Sequence, residues 1–475
     1  MKKENSEILA TKKAILREPI NTNNYIKLAT LFKSQGKKTH FFRSYKIATE
    51  RQAKNAELLL KAGISEMEVE KFNEALILFT KSARTNNQSL AWFHLGICLF
   101  ALGEYSQSLR MYRLSIQHLP GHVGTLMNIG VLLQLNNKPR KAARSYEIAL
   151  TFEPNNAGLH YNKATALLSS GQYLSGWKHF RWRFENPSTS AIHALPHGNK
   201  WNGENLEPGQ RLGIISEQGL GDTIQFIRYC ATLRARGISI KTFIQKSLVS
   251  LVRESGLDPE CQENTIAENS EIDTWIPLLS IPEILGVTPN NPIISSSYIT
   301  ARKDLITKWC NRFSKSNKFK VGIKWQGFQG NERLYNQSIG RSIPLSKFKA
   351  LADNFDIEFI SLQKDEGSEQ ISTCGFNKKF TPLLKCIEKE RCMLETAAII
   401  ASCDLILTCD SVIAHLAGAL GAPTWVLLNS CPEWRWGDKG NTTFWYPTAK
   451  LFRQKEQGDW SRVIQDVANS LAKHI

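Results

Sequence analysis

Residues 92–120, WFHLGICLFALGEYSQSLRMYRLSIQHLP, and residues 126–154, LMNIGVLLQLNNKPRKAARSYEIALTFEP, are two copies of one pattern set 34 positions apart. Gly96 and Gly130, Tyr112 and Tyr146, and Pro120 and Pro154 all keep that offset. Trp92, Leu95 and Gly103 complete the first copy, and Leu126 and Ile129 belong to the second. Each copy has room for two helices and a turn. A small residue in the first helix lets the second approach, the later aromatic fills the space between neighbours, and Pro ends the second helix. These residues are therefore packing residues, and none is given a chemical role.

The period and the pattern resemble the tetratricopeptide repeat. Weaker copies precede the clear pair, with Tyr25, Leu28, Ala29, Gly36, Tyr45 and Ala48 in one and Gly63, Ala75 and Phe79 in the next. Another follows, with Leu167, Gly171 and Phe180. The resemblance implies a solenoid of about five repeats whose concave face binds an extended protein segment. A dimerisation or docking spacer is the alternative. Gly176-Trp-Lys-His-Phe-Arg-Trp-Arg-Phe-Glu185 mixes rings and cations where the last repeat ends. It is read as a capping helix, with Arg stems lying over the edge, in preference to a base-stacking surface.

The chain has 475 residues, too many for one hydrophobic core, so two to four domains are expected. Hydrophobic residues make up 42% and charged residues 22%, which excludes disorder, collagen and a simple coiled coil. No apolar run is long enough for a transmembrane helix, and the N-terminus lacks the apolar core of a signal peptide. A cytoplasmic protein is expected. Its ten cysteines form no CxxC pair and are expected to be reduced. The net charge of +17 invites a nucleic-acid reading. Its distribution argues otherwise, because residues 1–60 hold 13 Lys or Arg against 5 Asp or Glu. That concentration reads as a basic tail and first helices, a solvated face open to an acidic protein or an anionic membrane surface.

From Arg211 the pattern changes to strand, Gly-rich turn and helix. Leu212–Ser216 is a strand, Glu217-Gln-Gly-Leu-Gly-Asp222 the turn, and Thr223–Arg234 one amphipathic helix. Further strands are predicted at Ile238–Ile244 and Thr274–Pro277. A second unit opens with Phe319–Trp325, continues with Glu358–Gln363, and contains a βαβ unit from Asp404 to Leu428. In that unit Asp404–Asp410 and Pro423–Leu428 flank a helix from Ser411. The class is therefore α+α/β: an all-α solenoid followed by two α/β lobes, with a site expected in the cleft between them. The boundaries drawn are a basic tail at 1–20, repeats and cap at 21–190, a linker at 191–210, and lobes at 211–312 and 313–475.

Gly219-x-Gly221-Asp222 opens a helix at the cleft edge, where backbone N–H groups face a ligand. A dinucleotide fingerprint needs a third Gly at the position Ile224 occupies. Asp222 is either a helix cap or a general base projecting into the cleft. Opposite it, Asp410, Ser411 and His415 lie at a strand end and in the first helical turns. His415 is the only histidine between Trp201 and Lys473. No His/Cys cluster or Asp-x-Asp pair offers a metal site, so metal-independent chemistry without a cofactor is expected.

Gly219-Leu-Gly-Asp-Thr-Ile-Gln-Phe226, Asp410-Ser-Val-Ile-Ala-His-Leu-Ala-Gly418, Trp434-Arg-Trp436 and Trp445-Tyr-Pro resemble the bacterial heptosyltransferase-like glycosyltransferases fused to tetratricopeptide repeats. The architecture is also similar to the O-linked N-acetylglucosamine transferases. The resemblance implies a two-lobed GT-B fold that takes a nucleotide-sugar donor without a metal. It implies Asp222 as catalytic base and Gln218, Gly219, Gly221 and Thr223 as substrate-binding residues around it. Asp410, Ser411 and His415 match the donor motif. Lys324 is placed to neutralise diphosphate charge, Gln363 to touch the nucleotide and Arg341 to reach phosphate. Val412 stands where the heptosyltransferase motif usually has Gly, so ADP-heptose is not assumed. Trp434-Arg-Trp436 is read either as a stacking or acceptor surface or as a buried pair closing the lobe, outside catalysis. An amphipathic helix at 460–475 is expected to pass back over the first lobe, as in GT-B proteins.

The function implied is inverting transfer of a sugar to a hydroxyl of a protein held by the repeats. A cell-envelope glycan as acceptor, or a non-catalytic scaffold with a degenerate transferase half, are the alternatives.

Overall fold

The computed structural model describes residues 2–86, 89–186, 189, 192–269, 272–294, 296–314, 316–327, 340–364, 366–382 and 393–475. The chain forms two compact units: Met1–Leu133 with Arg144–Pro154, and Gln134–Ala143 with Asn155–Ile475.

The N-terminal region is helical throughout its described residues. After α1 (Lys2–Arg17) come the pairs α2 (Thr22–Ser34) and α3 (Lys38–Arg51), α4 (Ala56–Met67) and α5 (Phe72–Asn86), and α6 (Ser89–Ala101) and α7 (Tyr105–His118). They are followed by α8 (Val123–Leu135) and α9 (Pro139–Phe152), and α10 (Ala157–Ser169) and α11 (Tyr173–Phe180). One contact explains the repeat signature. A Cβ built on Gly96 would stand 2.3 Å from the Tyr112 ring, one on Gly130 2.3 Å from Tyr146, and one on Gly63 2.6 Å from Phe79. In these three pairs the aromatic of the second helix thus lies on the bare backbone of the first. Pro120 and Pro154 follow the ends of α7 and α9, as the spacing requires.

The basic tail expected at 1–20 is instead helical over Lys2–Arg17. Ile8 is buried with Leu28, Ala29, Phe32 and Phe41, so an apolar stripe fastens α1 to its neighbours despite the surrounding lysines.

The second unit contains two five-stranded sheets, parallel throughout. The first comprises β1 (Asn199–Lys200), β2 (Arg211–Ile215), β3 (Ser239–Ile244), β4 (Gln262–Glu263) and β5 (Thr274–Pro277), in the order β1-β5-β2-β3-β4. The second comprises β6 (Phe319–Lys324), β7 (Ile357–Ser361), β8 (Leu405–Cys409), β9 (Thr424–Leu428) and β10 (Ala449–Arg453), in the order β10-β9-β8-β6-β7. Every residue of β8 and β9 is buried, as expected of parallel strands covered on both faces. Helices α12 (Leu220–Phe226), α13 (Tyr229–Ala235), α14 (Lys246–Glu254), α15 (Ile281–Leu285) and α16 (Lys303–Phe313) follow in the first half of this unit. Helices α17 (Lys349–Asn354), α18 (Leu394–Ala401), α19 (Val412–Leu420) and α20 (Trp460–Leu471) follow in the second.

The single helix predicted over Thr223–Arg234 is two. The carbonyls that would accept the next helical bonds are taken by side chains: Tyr298 Oη donates to Ile224 O at 2.9 Å, and Arg228 Nε to Gln225 O at 2.7 Å. The chain therefore bends at Ile227–Arg228. Buried Arg228 also donates to Trp445 O at 2.8 Å, tying the first lobe to the second.

The segment expected only to cap the repeats is built into the α/β unit. Trp177 Nε1 donates to Val287 O at 2.8 Å, and the Trp177 ring meets Trp434 edge-on at 5.5 Å. Arg183 grips Glu217 with two bonds, Nε to Oε2 at 2.8 Å and Nη2 to Oε1 at 2.7 Å, and both side chains are fully buried. Within residues 191–210, read as a linker, β1 pairs with β5 and Trp201 is buried. The C-terminal helix does not cross to the first lobe. Trp460, Val463, Ile464, Val467 and Leu471 of α20 pack with Val321, Leu405 and Leu427 of the second sheet, because its apolar stripe matches the face beside α17.

Candidate functional site

The carboxyl ends of β2, β6, β7 and β8 open on one cavity of about 580 Å³ between the two sheets. Gln218, Gly219, Gly221 and Asp222 line it from the first lobe. Lys324, Arg341, Gln363, Asp410, Ser411 and His415 line it from the second. Thr223 is not among the lining residues. It is buried, and its hydroxyl donates to Gln245 Oε1 at 2.8 Å, which ties α12 to the loop after β3.

Asp222 lies in the first turn of α12, one carboxylate oxygen accepting the Gly219 N–H at 2.8 Å. This secures the helix start while the other oxygen pairs with Arg435. Gln218, just before this turn, has φ +60°, a left-handed conformation, and its carbonyl accepts from Gln245 Nε2 at 3.4 Å. Gly221 is a clearance residue. A Cβ there would stand 2.8 Å from the His415 ring, so its bareness lets α12 cross α19.

Ser411 caps α19, its Oγ accepting from Ile413 N at 3.3 Å and sharing a hydrogen bond with Thr408 at 3.0 Å. His415 is buried one turn later. Its Nδ1 shares a hydrogen bond with the Tyr446 hydroxyl at 2.9 Å, and its ring stacks on Trp436 at 5.3 Å. Burial, then the nearby Arg435, Arg228 and Arg341 charges, hold its pKa well below the usual histidine value. His415 is therefore a neutral ring at physiological pH. Gln363 spends its amide on the cavity wall, Oε1 accepting from Gln326 N at 3.1 Å and Nε2 donating to Glu366 O at 2.7 Å. Lys324 ends β6 beside Thr408 of β8 and lines the cavity.

Four charged lining residues were not assigned to the site from sequence: Lys364, Glu366, Glu433 and Arg435. With Lys324 and Arg341 they give the wall four basic residues against the acidic Asp222, Asp410, Glu366 and Glu433. Arg435 is 7% exposed and pairs with Asp222 and Glu433 together. Its Nε and Trp436 Nε1 are buried without a hydrogen-bond partner among the described residues, donors of the kind a ligand oxygen satisfies. The signal is the charged pair interleaved with tryptophans in Glu433-Trp-Arg-Trp436, a stretch read as a stacking or acceptor surface or as a buried pair closing the lobe; both tryptophans are buried. Among the described residues no three His, Cys, Asp or Glu side chains converge to hold a metal ion.

The chain combines tetratricopeptide-like helical repeats with a two-sheet parallel α/β half. No family model matches it. A relative that spans both halves is Protein FlbA of Caulobacter vibrioides, 23% identical over 460 residues, covering 91% of this chain and 74% of that protein. The repeats are similar to those of the crystal structure of YrrB, a TPR protein with an unusual peptide-binding site, at 19% identity and TM-score 0.33. That match covers 37% of this chain and 91% of YrrB. The Pseudomonas aeruginosa pilF structure is similar at 14% identity and TM-score 0.36, covering 39% of this chain and 86% of its own. No helix among the described residues is long and apolar enough to cross a membrane.

Proposed function

We propose that this protein is a glycosyltransferase of GT-B type that moves a sugar from a nucleotide-sugar donor to a hydroxyl of a protein held by the repeats. One observation carries the reading: residues far apart in sequence, Asp222 on one lobe and Lys324, Arg341, Asp410, Ser411 and His415 on the other, line one cavity. Lys324, Arg341 and the start of α19 on one lobe, facing the Asp222 carboxylate on the other, suit a diphosphate leaving group opposite a hydroxyl nucleophile.

In this reading Lys324 and Arg341 offset the charge that develops on the departing diphosphate. The start of α19 adds its N–H groups, with Ser411 fixing the first turn. Asp222 takes the proton of the attacking hydroxyl. The reaction inverts the anomeric centre by direct displacement and requires no metal. Stacked helix pairs supply a surface for an extended acceptor segment.

The first experiment is thermal stabilisation of the full chain by UDP, GDP, ADP, CMP and their common sugars. A ligand at 100 times its Kd adds about 2.7 kcal/mol to stability. A selective shift, followed by label transfer from the matching sugar nucleotide to a protein acceptor, is the expected outcome. No shift with any member, and no transfer, leaves the non-catalytic scaffold as the better reading.

A further inference from the structure

One guanidinium in the cavity serves two carboxylates. Arg435 pairs through Nη2 with Asp222 Oδ1 and through Nη1 with Glu433 Oε1. Glu433 Oε2 accepts the Arg435 backbone N–H at 2.9 Å, and Asp222 Oδ2 accepts the Gly219 N–H at 2.8 Å. The triad therefore bridges the α12 turn of one lobe and the Glu433–Trp436 turn of the other. A single buried cation cannot fully compensate two anions, and Asp410 on the same wall adds a third.

The groups that face Glu433 are the charges of Arg435 on its own turn and Asp410 after β8 and the neutral phenols of Tyr161 on α10 and Tyr173 on α11, while Asp222 on α12 acts on the same Arg435. Burial is the main cause that pushes its carboxyl up, to about 7, with Arg435 opposing and Asp410 reinforcing. Even so, the Glu433 side chain is 36% exposed and can exchange its proton with water.

We infer that Glu433 is a positioning residue for Asp222: by drawing on the shared Arg435 it releases Asp222 Oδ1 to receive the acceptor's proton. The inference rests on the glycosyl-transfer reading. With Glu433 protonated, Arg435 belongs to Asp222 alone and Oδ1 is held. With Glu433 ionised, the guanidinium is divided and Oδ1 can turn to the hydroxyl. The proton then passes from the acceptor oxygen to Asp222 as that oxygen bonds to the anomeric carbon. The bond from that carbon to the diphosphate oxygen breaks, and the nucleoside diphosphate leaves with the electron pair.

The test is the pH–rate profile of the full chain, with nucleotide affinity measured alongside. Wild type is expected to gain about tenfold in rate from pH 6 to 8, the change in ionised fraction across one unit either side of the midpoint. Glu433→Gln is expected to lose that limb and run flat, at or below the wild-type pH 6 rate, with nucleotide affinity within about twofold of wild type. Glu433→Asp, which keeps the charge, is expected to keep the limb. Asp222→Asn is expected to lose turnover at every pH while still binding nucleotide.

A Glu433→Gln enzyme that keeps the wild-type limb overturns the inference, whether its rate is unchanged or lowered equally at every pH, the mark of a merely structural role. Retained turnover in Asp222→Asn overturns it as well. A wild-type chain that neither binds a nucleotide nor transfers a sugar overturns the functional reading itself, and this inference with it.

Discussion

The repeats and the cavity are built on opposite principles. In the repeats one contact, a ring on a bare glycine, recurs at Gly63, Gly96 and Gly130, always within a single helix pair. In the cavity each contact is unique and joins distant segments, as when Asp222 meets Arg435 or Gly221 meets His415. Local, repeated packing tolerates damage one repeat at a time. Non-local, single-copy packing concentrates its dependence on a few buried groups.

The harshest way to break that contrast is at Arg183. Removing one member of a buried ion pair strands the other, at a cost of roughly 3–5 kcal/mol. Arg183→Met is therefore expected to destabilise the second unit by that amount in denaturant titration. Arg183→Met with Glu217→Met, which strands no charge, should recover most of the loss. If the double variant were no better than the single, the bidentate contact would not be the source.

The matching lesion in the repeats is Gly130→Ala. Its methyl would press into the buried Tyr146 ring, and overpacking of this kind costs about 1–3 kcal/mol. Helix propensity favours Ala by about 1 kcal/mol, so a net stabilisation would show that the ring moves aside freely. The loss should appear in the unfolding of the first unit and leave the second unchanged. Smaller again, Ser411→Ala removes the cap of α19 and should cost about 1 kcal/mol in the second unit.

The subtlest sharpening uses pH. Glu433 has a raised pKa in the folded state, so the stability it contributes is full below its unfolded value near 4.5 and is lost as pH rises through about 7. His415 has a lowered pKa, so the stability it contributes is present above 6.5 and is lost as pH falls below that value. Melting temperatures of Glu433→Gln and wild type, followed from pH 5 to 8, should differ in slope from pH 5 to about 7 and run parallel above it. Parallel curves would count against the raised Glu433 carboxyl.

The same contrast governs what the sequence reveals. The Gly–aromatic offset states its own geometry, because both partners lie within one repeat. Strands such as Thr274–Pro277 and the βαβ unit around Asp404–Leu428 are legible from runs of apolar residues with turn signals at their ends. The bend at Ile227–Arg228 is not, since Tyr298 and Trp445, which capture the backbone and Arg228 there, come from far along the chain. Glu433 and Arg435 are hidden for the same reason: 213 positions separate Arg435 from Asp222, and nothing local to either predicts the meeting. His415 was legible as a cavity residue, but its neutrality depends on burial and on three arginines that only the folded chain assembles.

The missing side chain at position 221 has a mechanical consequence. Where α12 crosses α19, the gap between the sheets is set by a hydrogen atom facing an imidazole edge. A methyl group there would act as a wedge between α12, which carries Asp222, and α19, which follows Asp410. The width of the cleft there depends on an absence: a Cβ at position 221 would stand 2.8 Å from the imidazole, so either the ring or the helices would have to give way.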